Sequence, residues 1–165
     1  MKAAAPDATG KFVLYPVPVG TYDLVVTSSG RVTAVMTGVP VVSTAFTTLN
    51  SATIPISPPV ATMRSVTGTI TPVTGTVRAL QPLTGGPTVE VAWGAVDALS
   101  GAFSFSLPIE APVKTAYVAN PATLTFTPDA TAAGKYTLEA ASAGVVKTQA
   151  INASAVVPPV TFTFP

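Results

Sequence analysis

The chain has 165 residues and a net charge of +1, and only 9% of its residues are charged. It has no basic cluster, so we expect no nucleic-acid partner. No apolar run approaches the roughly 18 residues of a membrane-spanning helix, so we expect no membrane insertion. The sequence contains no cysteine and no histidine, which excludes disulfides, thiolate metal sites and histidine-based catalysis. We predict no cofactor and no bound metal.

The composition predicts an all-β fold. Valine and threonine are abundant, and their β-branched side chains favour pleated, half-buried surfaces. Seventeen prolines and twelve glycines punctuate the chain and leave little room for helices. The sparse charge and the many threonine and serine residues favour an extracellular location at the cell surface.

The first part of the chain predicts short strands separated by turns. The predicted strands are Lys11–Tyr15, Tyr22–Thr27, Arg31–Met36 and Ala52–Ile56. The run Gly38-Val39-Pro40 is expected to end the third of them. Pro58-Pro59 is expected to form a stiff, extended linker.

The second part predicts a larger set of strands. They are Ser65–Thr71, Thr76–Gln81, Thr88–Ala95, Ala102–Leu107, Thr123–Thr127, Tyr136–Ala141, Val145–Ala150 and Val160–Phe164. Phe103, Phe105 and Leu107 alternate along their strand and should point inward. Residues 108–122 are expected to be an irregular insertion. Short strands at a spacing of about 8–12 residues favour an antiparallel β-sandwich.

An internal repeat divides the chain. Gly10–Phe12 (GKF) corresponds to Gly101–Phe103 (GAF), and Gly20–Leu24 (GTYDL) corresponds to Gly134–Leu138 (GKYTL). In both copies another glycine follows the tyrosine after eight residues. The repeat predicts two tandem domains of one type. They are an incomplete first β-sandwich over residues 1–59 and a complete second β-sandwich over residues 60–165.

These repeated motifs resemble the carboxypeptidase regulatory-like domain, which is a transthyretin-like, Ig-like β-sandwich. The second half is also similar to the repeats that follow the DUF4382 domain in bacterial surface proteins. The similar segments are GTITP, VEVAWGAVD, GAFSFSLP and AGKYTLEA. The resemblance covers most of the chain, and it implies a non-catalytic module that serves as a spacer, a stabiliser or an adhesion element.

The first copy is shorter than the second on its N-terminal side. Nine residues precede Gly10, whereas the 36 residues Ser65–Ser100 precede Gly101. The first domain is therefore expected to lack its N-terminal strands, either because the chain is shortened there or because another chain supplies them. The side chains expected to line the uncovered sheet face, called the assembly face below, are Phe12, Leu14, Tyr22, Leu24 and Val26.

An open apolar sheet edge recruits other strands, and recruitment from head to tail produces a fibre. The leading hypothesis is therefore a non-enzymatic, extracellular structural protein that self-assembles, as a fibre or an oligomer, by strand complementation of its incomplete first domain. Its partner would be another copy of the chain or an N-terminal segment outside it.

A competing hypothesis is a carbohydrate- or surface-binding accessory module with a polysaccharide as its partner. Tyr117, in the insertion, is the aromatic residue that we most expect to be exposed, and it is a candidate ligand contact. Trp93 is a second candidate ligand contact. However, its alternation with Val89 and Val91 favours a place in the core.

An enzyme is the third hypothesis. The seven carboxylates are scattered, and no two are expected close together on one strand face, which disfavours a glycosidase-like pair. Asp97 and Asp129 lie in predicted turns, where aspartate commonly accepts backbone hydrogen bonds. No loop has the spacing of calcium ligands, and we assign no catalytic, cofactor-binding or metal-binding residue.

Overall fold

The computed structural model describes residues 4–5, 7–9, 12–28, 30–42, 61–119 and 125–165. Within these ranges the fold is all-β, as predicted, with a single 3-10 turn at Ala130–Ala132 and no α-helix. No helix in this part of the chain could span a membrane. The strands are β1 Gly20–Val26, β2 Ala34–Val41, β3 Met63–Thr71, β4 Thr76–Pro82, β5 Thr88–Val96, β6 Ala102–Pro108, β7 Val113–Ala116, β8 Thr127–Pro128, β9 Lys135–Ser142, β10 Val145–Asn152 and β11 Val160–Thr163.

Seven strands form one sheet in the order β10-β9-β4-β5-β6-β3-β11, in which only the pair β3–β11 is parallel. Alternate side chains of β6 are buried, and the predicted inward set of Phe103, Phe105 and Leu107 is confirmed. Ile70 of β3 and Leu138 of β9 are distant in the sheet but belong to one buried cluster. The sheet therefore folds over its own inner face, in a sandwich or barrel-like arrangement.

The two outer strands of this sheet approach each other. The Lys147 ammonium of β10 donates a hydrogen bond to the Thr163 carbonyl of β11. The same ammonium lies 5.4 Å from the centroid of the Phe164 ring, within the range of a cation–π contact. The one charge carried by β10 is therefore directed at its own chain.

The second sheet has four strands in the order β1-β2-β7-β8. β2 and β7 are parallel, with Ala34 beside Val113, and the other neighbours are antiparallel. Ala34 and Val113 are buried in one cluster with Val32 and Ala61, so apolar burial stabilises this pairing. The sheet joins strands from both sides of the predicted domain boundary, which itself lies outside the described residues.

The expectation that residues 108–122 form an irregular insertion is wrong for residues 113–116. Val113–Ala116 forms β7, and the backbone N–H of Val113 donates to the Thr33 carbonyl at 2.9 Å. Residues 120–122 lie outside the described ranges. A strand of four residues shows too little alternation to be recognised in a sequence. Its neighbour in the sheet, β2, also lies about 80 residues away along the chain, so no nearby residue indicates the pairing.

The predicted strand Lys11–Tyr15 is wrong for residues 12–15, which form no strand, and Lys11 lies outside the described residues. An alternating pattern of side chains does not by itself produce a strand, because the backbone N–H and C=O groups must also pair with a neighbouring strand. Pro16 and Pro18 follow directly, and proline cannot donate to a ladder.

β2 continues through Gly38, where the sequence predicted its end. Between Tyr22 and Leu24 the pairing of β1 with β2 shifts register, which is a β-bulge. Gly38 has a φ of +75°, and its N–H donates to Asp23 Oδ1 at 3.2 Å. Because glycine adopts this left-handed conformation without a side-chain clash, it bends the strand instead of ending it.

The other predicted strands of the second part are present, with ends that differ by no more than two residues. The exception is Thr123–Thr127, where only Thr127 belongs to a strand and residues 123–124 lie outside the described ranges. The predicted strand Ala52–Ile56 also lies outside them.

Candidate assembly edges and aromatic surface

The residues of the predicted assembly face fall into two groups. Tyr22, Leu24 and Val26 lie on β1, whereas Phe12 and Leu14 belong to no strand. Tyr22 is 38% exposed, and its hydroxyl donates to the Pro18 carbonyl at 2.9 Å. The other four side chains are half-buried. Of the predicted face, three residues therefore share one strand, and its role in assembly stays a prediction.

β1 is an edge of the four-stranded sheet, and within the described residues it pairs with β2 alone. Its seven residues include no proline and one charge, Asp23. The Asp23 carboxylate accepts a hydrogen bond from Gly38 of β2, so this charge is directed into the sheet. Of the features that protect an edge strand, β1 has no proline, and its one charge is paired with the neighbouring strand.

β10 is an edge of the seven-stranded sheet, and its eight residues pair with β9 without a register shift. Seven of these eight residues are exposed, and Ile151 is half-buried. The strand contains no proline, and its single charge, Lys147, bonds to Thr163. β10 is therefore a long, regular edge whose one lysine is engaged with β11.

Trp93 is 57% exposed, so the expectation that it packs in the core with Val89 and Val91 is wrong. The pairing of β4 with β5 shifts register between Ala79 and Leu80. This bulge places an extra residue in β5 and reverses the alternation of its side chains. Val89 consequently points inward, at 5% exposure, whereas Trp93 points outward.

The outward side chain of Trp93 belongs to a polar cluster that spans three strands. Its Nε1 donates to Glu90 Oε1. Arg78, on β4, donates from Nη1 to Glu90 Oε2 at 2.9 Å and from Nε to Glu139 Oε1 at 2.7 Å. We call Arg78, Glu90, Trp93 and Glu139 the Trp93 patch.

The hydrogen bonds from Arg78 to Glu90 and Glu139 raise the pKa of the guanidinium above its ordinary value. The two carboxylates lie on β5 and β9, on either side of β4. The sequence offered no signal for this contact, because each glutamate is isolated on its own strand. Both glutamates therefore form ion pairs with the same guanidinium.

Tyr117 is half-buried, so the expectation that it is exposed is wrong. Its backbone N–H donates to the Thr37 carbonyl at 2.8 Å, which continues the pairing of β7 with β2. Tyr15, at 81%, and Trp93 are more exposed. Tyr117 as a ligand contact stays a prediction.

Asp129 is a buried carboxylate that connects three segments. Its Oδ2 accepts from the Thr84 N–H at 2.8 Å and lies 3.1 Å from Lys114 Nζ, and its Oδ1 accepts from Thr131 Oγ1 at 2.8 Å. Burial raises the pKa of Asp129, but these hydrogen bonds outweigh burial and hold the pKa well below its usual range. The loop after β4, strand β7 and the 3-10 turn are joined in this way.

Thr84 and Lys114 also line a cleft of about 220 Å³ between β2, β7 and the loop 83–87. Both residues bond to Asp129, and Lys114 also donates to the Thr84 carbonyl at 2.8 Å. We therefore interpret the Asp129 cluster as a structural connection. In the part of the chain that the structure describes, no group of three or more aspartate or glutamate side chains could hold a metal ion.

Replacing Asp129 with asparagine should lower the free energy of unfolding by about 1–3 kcal/mol at neutral pH, because Lys114 loses its counter-charge and the Thr84 N–H loses a charged acceptor. Since the folded pKa of Asp129 is lowered, its ionised form stabilises the fold above the unfolded pKa near 3.8. That stabilisation is lost as the pH falls below this value. Urea unfolding at neutral pH and at about pH 3 measures both effects. The difference between the two proteins should shrink in acid, and a difference that grew there would contradict the assigned charge.

No family model, curated protein or solved structure matches the chain. The resemblance to carboxypeptidase regulatory-like repeats therefore stays a prediction.

Proposed function

We propose that the chain is a non-enzymatic structural protein of the bacterial cell surface that assembles with copies of itself by strand addition. The observation that carries this proposal is a pair of edge strands, each of which has one neighbour in its sheet among the described residues. β1 borders the four-stranded sheet and β10 borders the seven-stranded sheet. In each strand the single charged side chain bonds within its own chain.

An edge strand presents unpaired N–H and C=O groups, and another strand that pairs with them satisfies both partners. β1 has seven residues and β10 has eight, so their lengths are compatible with pairing along most of either strand. In the proposed assembly β10 of one copy pairs with β1 of the next. Because the two edges are different surfaces, this contact is heterologous and propagates into a fibre unless it closes into a ring.

The sparse charge of the chain supports the same proposal. Only 9% of the residues are charged and the net charge is +1, so electrostatic repulsion between copies is weak. Neither edge strand carries an unpaired like charge that pairing would bring together. The exposed side chains of β10 are mostly small or uncharged, which lets a neighbouring strand approach.

Three matched threonine-to-lysine variants test the proposal. Thr21→Lys changes β1, Thr148→Lys changes β10, and Thr67→Lys changes β3, which lies inside the seven-stranded sheet. All three threonines are exposed, so the variants add the same charge to the surface. We expect either edge variant to raise the concentration at which assembly begins about tenfold or more, because lysine protects an edge against pairing.

Light scattering over a concentration range, with negative-stain microscopy, measures the assembly. Wild type and Thr67→Lys should grow with concentration into fibres or rings, whereas the edge variants should stay small. A wild-type chain that remained monomeric at every concentration would refute strand addition. An equal effect of Thr67→Lys would assign the change to charge and not to the edges.

A further inference from the structure

Trp93 presents a large aromatic surface to solvent from a rigid strand. Its side chain is 57% exposed, although it lies within β5 and not in a loop. The rings of Phe103 and Phe105, one strand away, are buried. A ring of this kind, with an apolar face and a polar edge, is commonly used at binding surfaces.

The orientation of the Trp93 ring is fixed through its edge. The indole Nε1 bonds to Glu90, Glu90 bonds to Arg78, and Arg78 bonds to Glu139. These contacts hold the ring by its nitrogen and leave its surface to solvent. Since the ring is held before any ligand arrives, little conformational freedom is lost on binding.

The side chains beside the ring, on β5 and β6, are uncharged and small. Ala95 follows Trp93 on the same face of β5, and Ser104 of β6 lies directly opposite Ala95. Both side chains are small and exposed. An extended ligand can therefore lie across Trp93 toward β6 without meeting a bulky side chain.

The chemistry of the patch selects the class of ligand. A sugar ring has an apolar face of C–H groups that stacks on indole, and its hydroxyls donate to carboxylates and accept from guanidinium. The patch contains two glutamates and one arginine, so its net charge is −1. That negative charge repels acidic polysaccharides and has no such effect on neutral polysaccharides.

We propose that the Trp93 patch, with the floor formed by Ala95 and Ser104, binds a neutral polysaccharide. Trp93 stacks on one sugar ring, while Glu90, Arg78 and Glu139 hydrogen-bond to the hydroxyls of that sugar or the next. The residues of this site lie on neither β1 nor β10, although Glu139 lies directly opposite Thr148 of β10.

The fluorescence of Trp93 provides a direct test, because it is the only tryptophan in the chain. Xylan, glucomannan and hydroxyethyl cellulose serve as neutral probes, and alginate serves as the acidic comparison. We expect at least one neutral probe to shift the emission and to retard the protein in a native gel that contains the polysaccharide. Alginate should do neither.

Trp93→Ala should abolish the retardation, and Trp93→Phe, which retains a ring without the bond to Glu90, should weaken it several-fold. Tyr15→Ala is the matched control, since Tyr15 is an exposed aromatic residue that is not a member of the patch, and it should retain full retardation. Circular dichroism establishes that each variant is folded. The proposal is overturned if no neutral probe binds, if alginate alone binds, or if Trp93→Ala is retarded as strongly as the wild type.

Discussion

Replacing Phe103 with alanine should lower the free energy of unfolding by about 3–5 kcal/mol. The Phe103 ring is 3% exposed. Its centroid lies 5.8 Å from that of Phe105 and 6.4 Å from that of Phe162 on β11. The ring fills the space above Gly68, where an added Cβ would lie 2.4 Å from the ring. Its removal leaves a cavity that the surrounding strands cannot close without losing their pairing.

Denaturant unfolding followed by circular dichroism measures this loss. Trp93→Ala is the control, because it removes an aromatic ring of similar size from the outer side of the same sheet. We expect it to cost about 1 kcal/mol or less, as surface substitutions usually do. Equal losses for the two variants would contradict the assignment of inner and outer faces, and with it the bulge in β5.

Replacing Gly101 with alanine should lower the free energy of unfolding by about 3 kcal/mol, since it combines backbone strain with a clash. Gly101 has a φ of +70°, a conformation that L side chains rarely adopt. An added Cβ would lie 2.2 Å from the Ile70 carbonyl oxygen. That carbonyl cannot move away freely, because the Ile70 N–H donates to the Gly101 carbonyl at 2.9 Å.

Gly144→Ala separates the two causes. Gly144 has a similar φ of +79°, but nothing lies within 4 Å of the added Cβ. It should therefore cost only the conformational strain, about 1–2 kcal/mol. If Gly101→Ala were no more destabilising than Gly144→Ala, the close approach of β3 to the turn between β5 and β6 would be wrong.

Local patterns in the sequence predicted much of the larger sheet. The alternation of Phe103, Phe105 and Leu107 identifies the inner face of β6, and these side chains are buried. Asp97 marks the turn before β6, where its Oδ1 accepts from the Leu99 and Ser100 N–H groups. The bonds from the backbone and the hydroxyl of Ser100, and then the bond from Leu99, lower the pKa of Asp97. Each of these features depends on residues within a few positions of one another.

The features that the sequence did not predict depend on distant neighbours. The bulge that turns Trp93 outward has no glycine to mark it, and it is defined only by the register with β4. The Trp93 patch exists because β4 lies between β5 and β9. Likewise, β7 is recognisable only beside β2. Periodicity along one strand contains no information on which strand will be its neighbour.

The proposed contact between β1 of one copy and β10 of the next can be measured as a distance between copies. The chain has no cysteine, so Tyr22→Cys in one batch and Gln149→Cys in another each provide a single site for a spin label. Paired strands lie about 4.8 Å apart, so an equal mixture of assembled chains should give label separations below about 20 Å by pulsed electron paramagnetic resonance. A mixture of Thr67→Cys and Gln149→Cys is the control and should give longer separations. Pairing between β1 and β10 would be excluded if the assembled mixture of chains labelled on β1 and on β10 gave no such short separation. It would also be excluded if the control mixture gave an equally short separation.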